Sequence, residues 1–311
     1  MTIVLTSIGK RVELIRHLKS KFRVVGVDCS ELNPAKEFTD GFFTVPRFSD
    51  PEYINALLDI CKKENADYLI PLHEGEFSVL AASYDRFKEA GITLLLSDSK
   101  IIDICKDKKS TADFFEKYDI PAPKTYKRNA SGEYADIVFP AVVKPADGMG
   151  SADVFVVEDA EDLKYALKKV GSPIVQEKMD GTEYTMDVLC DNDGECVYIV
   201  PRIRIEVQSG EVSKSKVVLN KDIIDISKKV MESLKKEGRI IGPFTLQCFV
   251  ADDGSVRMLE INPRFGGGVP LSFRAGADYA SALVSMREGK KAEPGNIKEL
   301  TMLRYSDSVF I

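Results

Sequence analysis

The sequence predicts an α/β chain: a parallel sheet flanked by helices in the first third, then an α+β region of antiparallel strands. Two patterns predict it. Over residues 1–105, short apolar runs alternate with amphipathic stretches of helical period, the rhythm of βαβ units. Beyond residue 139, strand-like runs are separated by glycine-rich or Asp-Gly turns, the mark of hairpins.

In the first region, Ile3-Val4-Leu5 reads as a buried strand that breaks at Thr6-Ser7-Ile8-Gly9-Lys10-Arg11. A helix carrying Val12, Ile15 and Leu18 follows, then the strand Val24-Val25-Gly26-Val27 ending at Asp28. Phe43-Thr44-Val45 is a short strand, Pro51 to Lys63 a helix, and Tyr68 to Leu72 a strand ending at His73-Glu74. Ser78 to Ala90 is helical and Thr93 to Leu96 a strand. This is a Rossmann-like arrangement, and such sheets bind ligands at the C-terminal ends of their strands. Ser7, Gly9 and Lys10, Asp28 and His73 to Glu76 lie at those ends. The first turn lacks G-x-G-x-x-G, which argues against a nicotinamide cofactor.

The second region opens with a helix over Asp107 to Tyr118. The strand Phe139 to Pro145 carries Lys144 and leads through Ala146 to Asp153 into the strand Val154 to Val157. With strands on both sides, the glycines form a hairpin flap rather than a Walker loop, and their N–H groups can close on an anion. Glu161 to Lys169 is a helix, and Pro173 to Met179 a strand running into Asp180-Gly181-Thr182-Glu183. Tyr184 to Cys190 and Val197 to Val207 are strands, the latter with Arg202, Arg204 and Glu206 on one face. Asp222 to Glu237 is an amphipathic helix stopped by Gly238. Ala280 to Glu288 is a further helix, and Thr301 to Tyr305 a last strand.

Between these lies a hairpin, Thr245 to Arg264, with Asp253-Gly254 as a two-residue loop. That register sets Asp252 opposite Ser255 and Gln247 opposite Glu260. Glu260 and Asn262 are two apart, on one face, about 6–7 Å from each other. A carboxylate and two amides therefore converge, an oxygen set suited to Mg²⁺.

Composition bounds the remaining options. The 311 residues are 44% apolar and 30% charged, with room for two or three domains. The net charge of −6 offers nucleic acid no attractive field. Six cysteines without a C-x-x-C pair and only two histidines argue against a Cys/His zinc site. No apolar run is long enough to span a membrane, and no signal-like segment opens the chain, so the cytoplasm is the expected compartment.

Four signals occur in a fixed order: Asp107-Lys108, the Lys144 strand with its glycine flap, Gln176 to Glu183, and Gln247 with Glu260-Ile261-Asn262-Pro263-Arg264. Together they resemble the ATP-grasp superfamily, above all its carbamoyl-phosphate-synthase-like members. The resemblance covers essentially the whole chain. It implies a pre-ATP-grasp domain at 1–105, a lid subdomain at about 106–178 and a C-terminal subdomain with the metal site at 179–311.

The resemblance also implies roles. Lys108 and Lys144 would contact the ATP phosphates, with Gly148, Gly150 and Ser151 as the flap over them. Glu177, Lys178 and Met179 would meet adenine, and Glu183 the ribose. Gln247, Glu260 and Asn262 would hold Mg²⁺ or Mn²⁺, and Arg264 would steady the transferred phosphoryl group. Many relatives have an acidic residue where this chain has Gln247, which removes one negative charge from the metal site. The expected activity joins a small carboxylic acid to an amine, with ATP consumed through an acyl phosphate. Arg202, Arg204, Ser7, Gly9 and Lys10 are candidates for holding the substrate. Relatives are often dimers, which makes a homodimer an expected assembly. The competing readings are a phosphoryl-transfer enzyme of carbamate-kinase-like chemistry and a non-catalytic ATP sensor. Only a single grasp copy is present, so complete carbamoyl phosphate synthesis is not expected.

Overall fold

The apolar runs of the first third form β1 (Thr2–Thr6), α1 (Val12–Leu18), β2 (Arg23–Asp28), β3 (Gly41–Thr44), α2 (Tyr53–Lys63), β4 (Tyr68–Ile70), α3 (Phe77–Ala82), α4 (Tyr84–Glu89) and β5 (Thr93–Leu94). The computed structural model describes residues 1–130, 132–147, 153–208 and 210–311. The five strands make a wholly parallel sheet in the order β3-β2-β1-β4-β5. Every residue of β1 is buried, because helices cover both faces: Ile3 and Leu5 enter one core and Val4 another. The helix expected over Ser78 to Ala90 is two helices, interrupted at Ser83. Strand β4 stops before Pro71, which has no N–H to donate.

Next come α5 (Ser99–Lys106), α6 (Lys108–Lys117), β6 (Thr125–Tyr126), β7 (Ala141–Pro145), β8 (Phe155–Val157), α7 (Ala160–Lys169) and β9 (Pro173–Glu177). Helix α5 was missed in the sequence reading, although Asp98 caps it by accepting from Ile101 N at 3.2 Å. The strands form an antiparallel sheet, β6-β9-β7-β8. This sheet and α7 have their own core (Tyr126, Ala141, Val143, Val157, Ala166, Val170, Val175). Helices α5 and α6 instead bury Ile101, Phe114 and Phe115 against the sheet that follows, so the lid segment expected from residue 106 begins with a helix of the larger layer.

The remainder is β10 (Thr182–Cys190), β11 (Cys196–Gln208), β12 (Glu211–Val217), α8 (Lys221–Glu237), β13 (Gly242–Val250), β14 (Val256–Asn262), α9 (Pro270–Ala275), α10 (Tyr279–Arg287) and β15 (Thr301–Leu303). Its six strands run antiparallel in the order β14-β13-β10-β11-β12-β15. Strand β12 escaped the sequence reading because only Val212 and Val217 bring it apolar side chains. Tyr184, Met186, Val188, Leu246, Cys248 and Met258 bury one face of the sheet with Ile223, Val230 and Leu234 of α8. Gly238 does end α8, but in extended backbone rather than the left-handed form. A Cβ there would lie 2.6 Å from the Asp98 carboxylate, which is what requires glycine.

A single hydrophobic core joins the N-terminal sheet to the far side of the large one. It contains Ile3, Leu5 and Tyr68 together with Val200, Val217, Phe265, Leu271 and Tyr279. The Tyr68 hydroxyl donates to Leu283 O at 2.9 Å across this junction.

Candidate functional site

The β13–β14 hairpin differs from its sequence-based register in two ways that cancel. Its loop holds three residues, Asp252 to Gly254, between Ala251 and Ser255, which are joined by Ala251 N–H to Ser255 O at 3.0 Å. Gly254 takes φ +83° in the last loop position, as such loops require. The pairing is thereby displaced by one residue: Val250 faces Val256 and Cys248 faces Met258. A bulge between Gln247 and Cys248 absorbs Leu259 and restores the register, so Gln247 does face Glu260 and Thr245 faces Asn262. The bulge also switches faces. Met258 and Ile261 both enter the core, while Leu259 and Glu260 both line the cleft.

Register across the sheet makes one continuous polar row. Arg202 pairs with Thr185, Thr185 with Gln247, and Gln247 with Glu260. Asp187, Thr245 and Asn262 form the next row. Neighbouring strands lie about 4.8 Å apart, which brings Gln247 and Glu260 side by side. Buried polar atoms here lack partners among the described residues: Thr185 Oγ1, Arg202 Nη1 and Asn262 Nδ2. Such atoms call for water or a ligand. No group of three or more His, Cys, Asp or Glu side chains that could hold a metal occurs among the described residues. The candidate donors are one carboxylate and two amides. That set fits Mg²⁺, which keeps waters and takes further oxygens from phosphates rather than from a full protein cage.

Opposite this row stands the small sheet, and a cavity of about 360 Å³ lies between them. Alternation along β7 sends Ala141 and Val143 into their own core and Val142 and Lys144 into the cavity. Lys108, Glu177, Lys178, Met179, Glu183, Arg204, Gln247 and Glu260 share that lining with Lys144. Burial, with Lys108 nearby, pushes Lys144 down to about 8, against the pull of Glu260. Burial raises the Glu183 carboxyl above its ordinary range although Arg204 lies 3.0 Å away. Asp107 caps α6 by accepting from Lys109 N and Ser110 N, which fixes the helix start where Lys108 lines the cavity. The Glu177 side chain accepts from Lys124 N at 3.1 Å, and Lys178 pairs with Asp180.

Several expected residues stand elsewhere. Gly148, Gly150 and Ser151 lie outside the described residues. Asn262 is buried two residues beyond Glu260 and does not line the cavity. Arg264, just beyond β14, is held by Glu74 of the N-terminal domain, Nε to Oε1 at 2.8 Å. Arg202 is 2% exposed, and its Nε and Nη2 are closed on Asp187 at 2.8 and 3.3 Å. The carboxylate it was expected to hold for a substrate is thus an internal one, which Ser272 Oγ also approaches at 2.6 Å. Ser7 donates to the buried Glu76, Gly9 N to Asp28 at 3.2 Å, and Lys10 pairs with Glu211 at 3.3 Å. None of the three lines the cavity. The sequence reading missed the cavity's apolar walls, Val154, Val156, Phe249 and Leu259. Alternation against Glu183 and Gln247 could have found Phe249; nothing local marks the Leu259 bulge.

Comparisons with known proteins identify the family and the fold. The family described as ATP-grasp domain matches residues 105–268, and the family described as PylC-like, N-terminal domain matches residues 3–95. The carbamoyl phosphate synthase large chain of Archaeoglobus fulgidus is 26% identical over 306 residues, covering 91% of this chain and 27% of that protein. The chain therefore spans about a quarter of the length of the curated relatives it matches. N5-carboxyaminoimidazole synthetase from Staphylococcus aureus, solved with ADP, superposes with a TM-score of 0.77 at 16% identity, over 98% of this chain and 82% of that one. The biotin carboxylase domain of Hydrogenobacter thermophilus 2-oxoglutarate carboxylase, solved with MgADP and bicarbonate, gives 0.72 at 16%, over 93% and 70%. At such identities the structural likeness speaks for the fold.

Proposed function

The chain belongs to the ATP-grasp family, and from that premise we propose that it is an ATP- and Mg²⁺-dependent carboxylate–amine ligase working through an acyl phosphate. The observation that carries the reading is the shared cavity, whose lining brings Lys108 of α6 and Lys144 of the small sheet together with the Gln247 amide and the Glu260 carboxylate of the large one. Nucleotide binding alone would not require the Gln247, Glu260 and Asn262 set.

In this reading the nucleotide lies between the two sheets. The backbone of Glu177 to Met179 meets the base, and Glu183 accepts from the ribose hydroxyls. Lys108 and Lys144 neutralise the phosphates. Glu260, Gln247 and Asn262 would hold Mg²⁺, which supplies charge neutralisation at the β- and γ-phosphates when bound. A carboxylate oxygen of the acid attacks the γ-phosphorus and ADP leaves. The amine then attacks the acyl carbon, expels inorganic phosphate and loses a proton to form the amide. Arg264, oriented by Glu74, balances charge on the transferred group. No covalent enzyme nucleophile is needed. The small sheet has a core separate from the other three, which supports a unit that closes over the nucleotide and excludes water from the acyl phosphate.

An ADP-release assay over matched panels of acids and amines tests the proposal. ADP that appears only when acid and amine are both present supports the ligase. ADP with a single acceptor would indicate simple phosphoryl transfer, and binding without ADP release would indicate a sensor.

A further inference from the structure

The junction between the N-terminal domain and the Gly266 to Gly268 turn gathers charge from several elements, nearly all of it paired. Lys10 stands 3.3 Å from Glu211. Arg304 lies 3.6 Å from Glu211 and 3.8 Å from Glu13, and its Nη2 donates to Gly267 O at 2.9 Å. Arg264 is held by Glu74.

Arg11 is different. Its guanidinium makes no hydrogen bond or ion pair among the described residues. It reaches the glycine turn, since a Cβ on Gly267 would lie 3.8 Å from Arg11 Nη1. The charges acting on it are Arg264 and Arg304, of its own sign, and Glu211, already shared by Lys10 and Arg304. Burial, first, and then Arg264 push it down to about 10. A half-buried guanidinium beside two others, without a counter-ion of its own, is stabilised when an anion arrives from solvent. A planar fork of donors matches carboxylate and phosphate oxygens alike.

We propose that Arg11 anchors an anionic group, carboxylate or phosphate, of the small-molecule substrate at this junction, beside Arg264. The ligase reading supplies the word substrate; the anion site stands on its own geometry.

The test is calorimetric titration of inorganic phosphate and, separately, succinate into the wild type, Arg11→Gln and Arg47→Gln. Arg47 is exposed and supplies the same change in net charge. At least one anion should bind the wild type saturably and bind Arg11→Gln about tenfold or more weakly, with Arg47→Gln unchanged. Preference for phosphate or for succinate identifies the group. Thermal unfolding of Arg11→Gln should occur at or above the wild-type midpoint, because an uncompensated charge has been removed. Equal anion binding by the wild type and Arg11→Gln, no saturable binding to the wild type, or a markedly lowered midpoint would each overturn the proposal. ADP binding is measured in parallel. Its failure in the wild type would sink the ligase reading while leaving the anion result intact.

Discussion

At the scale of single residues, charge and burial divide the labour in the cleft. Glu260 is the sole carboxylate among the expected metal ligands. Replacing it by Gln keeps the shape and removes the charge. Turnover in Glu260→Gln should fall by about 100-fold or more, with ADP affinity nearly unchanged; retained turnover would count against the metal assignment. Lys144 offers a pH test. Its folded pKa of about 8 lies below the ordinary 10.5. The free protein therefore loses this charge as pH rises through about 8, and nucleotide affinity should fall over the same range. Lys144→Arg, whose guanidinium stays charged, should flatten that dependence. Equal profiles in the two proteins would separate Lys144 from the phosphates. The sign for stability is the reverse. Below about pH 8 the buried charge costs stability, and the cost fades as pH rises toward 10.5, because the unfolded chain then binds the extra proton.

At the scale of elements, glycines show where backbone passes close to the polar rows. A Cβ on Gly266 would lie 2.9 Å from Thr245 Oγ1, and one on Gly268 2.5 Å from Arg202 Cζ. The buried Arg202 cannot retreat without breaking its pairing with Asp187. Gly268→Ala should therefore lower stability by about 1–3 kcal/mol, read as a reduced denaturant midpoint with unchanged slope. A midpoint equal to the wild type would show that the turn can move aside. The β14 bulge matters for the same kind of reason. Without it, the displaced loop register would set Leu259, not Glu260, against Gln247.

At the scale of the whole molecule, the N-terminal domain is fixed to the large sheet by a common core, and the Glu74–Arg264 pair spans that junction. Glu74→Gln should leave the fold intact and loosen Arg264. It should reduce kcat roughly tenfold through lost positioning with little change in ADP affinity. An unchanged kcat would show that the N-terminal domain does not orient the arginine. Among the described residues no helix is long and apolar enough to cross a membrane.

The sequence by itself determined the parallel sheet, the β7–β8 and β13–β14 hairpins, the family and most of the polar residues that meet in the cleft. These depend on local periodicity and turn chemistry, which neighbouring residues carry. Tertiary structure alone decided three matters. Strand β12 forms because distant partners cover it, not because its own pattern demands it, whereas α5 has a local signal, the Asp98 cap before Ile101 and Ile102, that the sequence reading passed over. Gln247 meets Glu260 through a longer loop and a compensating bulge, a cancellation that no count along the chain reveals. The arginines divide by partner: Arg202 belongs to Asp187, Arg204 to Glu183 and Arg264 to Glu74, while Arg11 has none. Which carboxylate neutralises which guanidinium is settled by through-space distance between segments far apart in the chain, and the order of residues does not encode it locally.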